Sequence, residues 1–244
     1  MLACIKKTTM RQVFLLISAV LIFTNVSGQK TELRVSLNSG LFSFSGVSAK
    51  ATTSINYDDQ TKSGYTNNPY GSKSALCYGV SLNLKRVTKM NIIFGLDLGY
   101  ETLRSKISID RIDGYNGSPY QYSASGKTFL NNSFLNFNPF IGYRFIVNNI
   151  CFDLTGGFDY GYILKANEDG SATATNGIKY TTSLDRKDIT FDLRPRVQLS
   201  TEYKVIGLYI GYSYGLMDYM MHYKGGTNDA SARLFRFGIT YKIK

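Results

Sequence analysis

Apolar and polar residues alternate along most of the chain in runs of about ten residues or more, the period of strands with two unlike faces. Eight runs read as strands: 31–47, 75–85, 91–103, 133–145, 150–164, 188–203, 207–217 and 233–243. In the third, Ile92, Phe94, Leu96, Leu98 and Tyr100 share one face and Gly95, Asp97, Gly99 and Glu101 the other. In the sixth, Ile189, Phe191, Leu193, Val197 and Leu199 oppose Asp192, Arg194, Arg196, Gln198 and Glu202. The connections alternate as well. Short turns at 86–90, 147–149 and 204–206 separate long polar loops at 48–74, 105–132, 165–187 and 218–232. Loops of that length count against a compact soluble sandwich, whereas short turns at one end and long loops at the other characterise a barrel standing in an outer membrane. The expected fold is all-β, an eight-stranded antiparallel up-and-down transmembrane β-barrel.

The two faces are chemically distinct. Charges share parity with glycines such as Gly95, Gly99, Gly157, Gly161 and Gly211. An eight-stranded barrel is barely wide enough for its own side chains, so a glycine beside an arginine makes room for the longer chain. The expected lumen network comprises Arg34, Asp97, Glu101, Arg144, Asp153, Asp159, Asp192, Arg194, Arg196, Glu202, Arg236 and Lys242. Six acids face six bases there, and buried charges must pair, which favours a polar core over an ion path. Outward aromatics fall into two belts, as expected where a ring is apolar with a polar tip. Tyr143, Phe145, Phe152, Tyr203 and Tyr241 mark the short-turn end; Tyr78, Tyr100, Tyr160, Tyr162, Tyr212 and Tyr214 mark the long-loop end. With no tryptophan in the chain, tyrosine takes that role.

Residues 1–28 carry a basic start (Lys6, Lys7, Arg11), an apolar run over 13–23 and small residues before Gln29. That is the layout of a signal peptide, too short to span as a helix. The barrel domain is then 29–244, with the formal charge lowered from +11 to +8 by loss of three cations and no acid. Its cations are scattered, which with export argues against nucleic acid. No later segment has 18 consecutive apolar residues, but a closed barrel satisfies its backbone in lipid as well as a helix does.

Chemistry-bearing residues are few. Cys77 and Cys151 fall near opposite barrel ends, beyond the ~7 Å α-carbon limit for a disulfide, so two free thiols are expected. His222, the sole histidine, sits in a long loop near Asp218, Tyr219, Tyr223 and Lys224, while Ser200 and Ser213 lie on inward faces. Barrels that modify lipid A hold their histidine at the wall beside a serine, a placement not visible here, so His222 reads as a surface residue and the chain as no enzyme. One histidine and two distant cysteines build no zinc site, and no phosphate loop or cofactor is implied. Tyr65, Tyr70, Tyr115, Tyr120, Tyr122 and Tyr180 accompany Asn, Ser and Gly in the loops, a composition suited to solvent or to adaptable polar contacts.

Three segments carry a family resemblance: Phe94-Gly95-Leu96-Asp97-Leu98-Gly99-Tyr100, Asn138-Pro139-Phe140-Ile141-Gly142-Tyr143-Arg144, and the closing Leu234-Phe235-Arg236-Phe237-Gly238-Ile239-Thr240-Tyr241. With the small-residue cleavage site before Gln29, the chain resembles the outer-membrane β-barrel family of Bacteroidota labelled PorT-like. The last segment resembles the terminal strand that assembly machinery recognises, although it ends Ile243-Lys244 rather than on an aromatic residue. The resemblance implies a non-enzymatic eight-stranded barrel of the cell outer membrane serving envelope integrity, protein secretion or surface contacts. A narrow ion or small-solute channel is the alternative, and a lipid A-modifying enzyme the third reading. Expected partners are outer-membrane lipid and lipopolysaccharide, with secretion or envelope proteins as further candidates, and no cofactor.

Overall fold

A computed structural model of the chain describes residues 30–148, 150–222 and 228–243. The expected signal peptide at 1–28 therefore lies outside the described residues, as do Tyr223 and Lys224. Among the described residues all regular structure is strand, and no helix is long and apolar enough to cross a membrane. The strands are β1 (Lys30–Ser45), β2 (Thr52–Asp58), β3 (Ser63–Thr66), β4 (Lys73–Val87), β5 (Ile92–Tyr115), β6 (Pro119–Val147), β7 (Ile150–Ala174), β8 (Lys179–Asp185), β9 (Phe191–Tyr203), β10 (Ile206–Tyr214) and β11 (Ser231–Lys242).

Eight of the eleven close on themselves. β1 pairs with β4, and the ladder continues through β5, β6, β7, β9, β10 and β11 back to β1, antiparallel throughout. These eight overlap the eight runs read from the sequence. At the short turns Asn91, Asn148 and Lys204 adopt positive φ of 63°, 48° and 58°. Asparagine tolerates that left-handed backbone better than most residues.

The expected long loops are largely strand instead. β5, β6 and β7 run 24, 29 and 25 residues, well past the ring, so 105–132 is a paired hairpin whose ladder reaches Tyr115↔Pro119. β2 adds to the outer part of β5 in parallel, β3 pairs β2, and β8 pairs the outer part of β7. The result is a six-stranded extension, β3-β2-β5-β6-β7-β8, standing on one side of the ring's long-connection end. It curls enough to bring its edges together. Glu168 of β7 accepts bonds from the Thr66 amide (2.8 Å) and from Arg186 Nε (2.7 Å), while Arg186 also donates to the Thr66 carbonyl. Ile55, Ile109, Ile112, Ala172, Ala174 and Tyr180 fill its interior.

A change of solvent within single strands hides the extension from a pattern search. Along β5 the outward positions run Phe94, Leu96, Leu98, Tyr100 and then Thr102, Arg104, Lys106, Ser108. The inward ones run Gly95, Asp97, Gly99, Glu101 and then Leu103, Ser105, Ile107, Ile109, the last three residues of which are at most 2 % exposed. The pleat continues unbroken while apolar and polar faces exchange at Glu101–Leu103. β6 exchanges opposite, at Phe134–Asn136, since Glu101 pairs with Phe134.

Smaller differences follow the same boundary. The sixth run starts at Phe191 rather than 188, and Ile189, expected to face outward, is buried in an apolar cluster above the lumen. Phe152 of the short-turn belt is half-buried, whereas the other ten belt residues are exposed.

Candidate functional site

Among the described residues the lumen gathers most of the buried charge. Cross-strand register puts arginine opposite glycine: Arg196 beside Gly157, and Arg236 beside both Gly40 and Gly211. At Gly161 a β-carbon would stand 2.9 Å from the Phe134 ring and 3.2 Å from Arg194 Nη2. Glycine there leaves the space that a fully buried guanidinium occupies.

The charges form two groups. Near the short turns, Arg34, Lys85, Arg144 and Lys242 surround Glu32, Asp153 and Glu202. Arg144 is the hub, forking onto both Glu32 oxygens at 3.0 Å and onto Asp153 at 2.6 and 2.9 Å. Farther in, Arg194, Arg196 and Arg236 meet Asp97, Glu101, Asp159 and Asp192. Arg236 donates to Glu101 and, at 2.8 Å, to Asp159. Arg194 donates to Glu101 and to Asn136 at 2.9 Å, and its guanidinium lies 4.7 Å from the centre of the Phe134 ring.

Of the twelve charges expected in the lumen, nine are buried; Arg196, Glu202 and Lys242 are half-buried. Glu32 and Lys85 complete the short-turn group but were absent from the expected set. Both share inward parity with Arg34 and Asn83, so extending the alternation to the strand ends finds them. A cavity of about 40 Å³ separates the groups, lined by residues of both. That is above the roughly 10–15 Å³ needed to admit a water molecule.

The other end of the lumen is apolar. Phe44 packs edge-to-face on Phe42, Tyr70 and Tyr219 at centroid distances of 5.1, 5.1 and 4.9 Å. Leu103, Leu130, Phe134, Ile163, Ile189 and Leu234 close around them. Tyr219 ties this plug to the charges below, donating to Asp192 at 2.9 Å, and Tyr70 donates to Asp188 at 2.6 Å. Tyr70 and Tyr219, expected in loops, are thus core residues.

The remaining candidates are scattered. His222 is exposed, whereas Ser213 is buried and bonded to Asp159; among the described residues no hydrogen bond joins His222 to Ser213 or Ser200. Cys77 belongs to the apolar plug, Cys151 lines the cavity at the opposite end, and both are free thiols.

A closed ring with aliphatic and aromatic side chains outside and ion pairs inside is the inverse of a water-soluble domain, and it defines an outer-membrane β-barrel protein. The chain belongs to the outer membrane protein beta-barrel domain family, whose model matches residues 26–220; the outer membrane is its location. Three solved structures show likeness at low identity. Ail of Yersinia pestis, solved with the heparin analogue sucrose octasulfate, aligns at 10 % identity and TM-score 0.34, covering 89 % of this chain and all of that one. Neisserial surface protein A gives 10 % and 0.34 over 87 % and 98 %. The translocator domain of the autotransporter NalP from Neisseria meningitidis gives 10 % and 0.29 over 97 % and 96 %. No curated protein matches.

Proposed function

We propose that the ring is an eight-stranded up-and-down barrel spanning the outer membrane, and that its lumen is a structural core rather than a conduit. On this reading the protein is non-enzymatic and PorT-like, serving envelope integrity, secretion or surface contacts through the extension. The observation that carries it is the aromatic plug seated on paired charges. Every carboxylate of the two groups lies within 4.0 Å of a cation, and an ion entering would have to displace both the pairs and the apolar layer above them. The extension supports the second half of the reading: a packed, edge-sealed sheet is a surface on which contacts can be built.

A strain lacking the gene tests the role. Cargo stranded in the periplasm specifies secretion; an unchanged secretome with altered surface attachment or permeability specifies envelope or contact work. Discrete conductance steps in planar bilayers would instead establish the channel reading and remove the sealed core.

A further inference from the structure

We infer that the outward face of the extension, just beyond the long-connection tyrosine belt, binds the anionic saccharide headgroup of an outer-leaflet glycolipid. This rests on the proposed membrane orientation and adds a site to it. The residues are Lys73, Arg104, Lys106 and Lys127, gathered around Phe129.

Register and contacts assemble them. Lys106 of β5 pairs with Phe129 of β6 on one side and Lys73 of β4 on the other. The Arg104 guanidinium lies 4.6 Å from the Phe129 ring centre and Lys127 Nζ lies 5.5 Å from it. Lys73 Nζ bonds Ser108 Oγ and Arg104 Nε bonds Asn131 Oδ1, neutral partners that orient both cations without cancelling them. Among the described residues no ion pair joins any of the four to a carboxylate. Asp169, opposite Phe129 on β7, and Asp185, opposite Asn167 on β8, bound the patch at its far side.

Height chooses the occupant. Arg104 and Lys106 stand four and six residues beyond Tyr100 on the same face. At ~3.3 Å per residue and a tilt near 40°, that is roughly 10–15 Å above the belt. A phospholipid headgroup layer is only about 5–8 Å deep, so phospholipid phosphates fall short. A glycolipid carrying phosphate or carboxylate on core sugars beyond its acylated disaccharide reaches, and Phe129 offers an apolar ring on which a sugar face stacks. Two cations over one ring, with Lys106 and Lys73 on the next two strands, match several anionic groups on a saccharide.

The test uses the folded full-length protein in phosphatidylcholine nanodiscs, titrated with rough lipopolysaccharide and, separately, with lipid A lacking core sugars. The comparison is with R104Q/K106Q/K127Q. At about fivefold per cation near a membrane surface, the triple variant is expected to bind the core-bearing glycolipid on the order of 100-fold more weakly and lipid A unchanged. Equal binding of the core-bearing form overturns the site. So does an equal loss on lipid A, which reveals only general charge attraction. Should the variant fail to fold, the unaltered protein decides: 1 M NaCl must selectively weaken its binding of the core-bearing form. Unboiled against boiled gel mobility reports the barrel independently, so a sound barrel with unselective binding sinks the patch alone.

Discussion

The ring and the extension share β5, β6 and β7 yet obey opposite rules. In the ring the outside is Leu, Ile, Phe and Tyr, and the inside is arginine and carboxylate. In the extension the outside is Lys, Arg, Ser and Asn, and the inside mixes Ile, Ala and Tyr with buried Ser, Thr and Glu168. The pleat of β5 runs through from one to the other, with a register shift in the β6–β7 ladder at the boundary; on the proposed orientation, what changes is the medium. Burial of apolar area drives the extension as it drives any soluble domain, whereas in lipid the outer face needs only to be apolar, and specificity passes to the inner ion pairs. On the proposed membrane orientation, the exchange points of β5 and β6 mark the edge of the bilayer.

The comparison breaks first at its buried charges. Arg236→Met leaves Glu101 and Asp159 short of a partner, and removing one side of a buried pair costs about 3–5 kcal/mol. Urea titration in detergent, read by loss of the fast unboiled band, should show that shift; an unchanged midpoint would mean water already screens these groups. Next, Ile55→Ala opens a void in the extension worth about 2–4 kcal/mol. Trypsin should then cut the extension while the ring keeps its fast mobility, and coupled unfolding of both would refute their separateness. Third, the inversion predicts unequal responses on one face of one strand. Leu96→Lys, midway along the lipid side, costs about 2–3 kcal/mol, whereas Ser108→Lys, beyond the bilayer, loses chiefly the hydrogen bond from Lys73, about 1 kcal/mol.

The smallest effect concerns the tip of the β5–β6 hairpin. Slight burial raises the Asp113 carboxyl, but bonds from Arg111 (2.8 Å) and Gln121 (2.7 Å) outweigh it and hold its pKa below the usual 3.8. Its contribution is complete above that value and fades as the pH drops through the lowered one. Amide protection around 111–121, corrected for intrinsic exchange, should fall as the pH drops below about 4, and Asp113→Asn should abolish that fall.

Sequence periodicity located all eight ring strands because lipid outside and charge inside give strong alternation, as in Leu96-Asp97-Leu98. It assigned 105–132 to loop for a physical reason. Past the exchange point the inward residues include Ser105, Thr128 and Gly170, too small or polar to read as a core, and the shift between Ile109 and Arg111 resets the parity. β2 and β3 are short, and their buried Ser54 and Thr66 carry no apolar signal. The lumen charges were legible one by one, but their sorting into two groups depends on cross-strand register, which one strand's pattern does not contain. Tyr70 and Tyr219 needed the tertiary fold: each sits outside any strand and enters the plug from a connection.

The ring closes by pairing the first described strand with the last, Arg34 opposite Lys242, so Lys30 of β1 and Lys242 of β11 both lie at the short-turn end. Order along the chain is therefore separable from order around the ring. A short linker could join 243 to 30 and new ends be opened at Asn148 without altering a single pairing. Such a rearranged molecule would keep its pairings while ending on a different strand, which would separate the order of strands along the chain from their order around the ring.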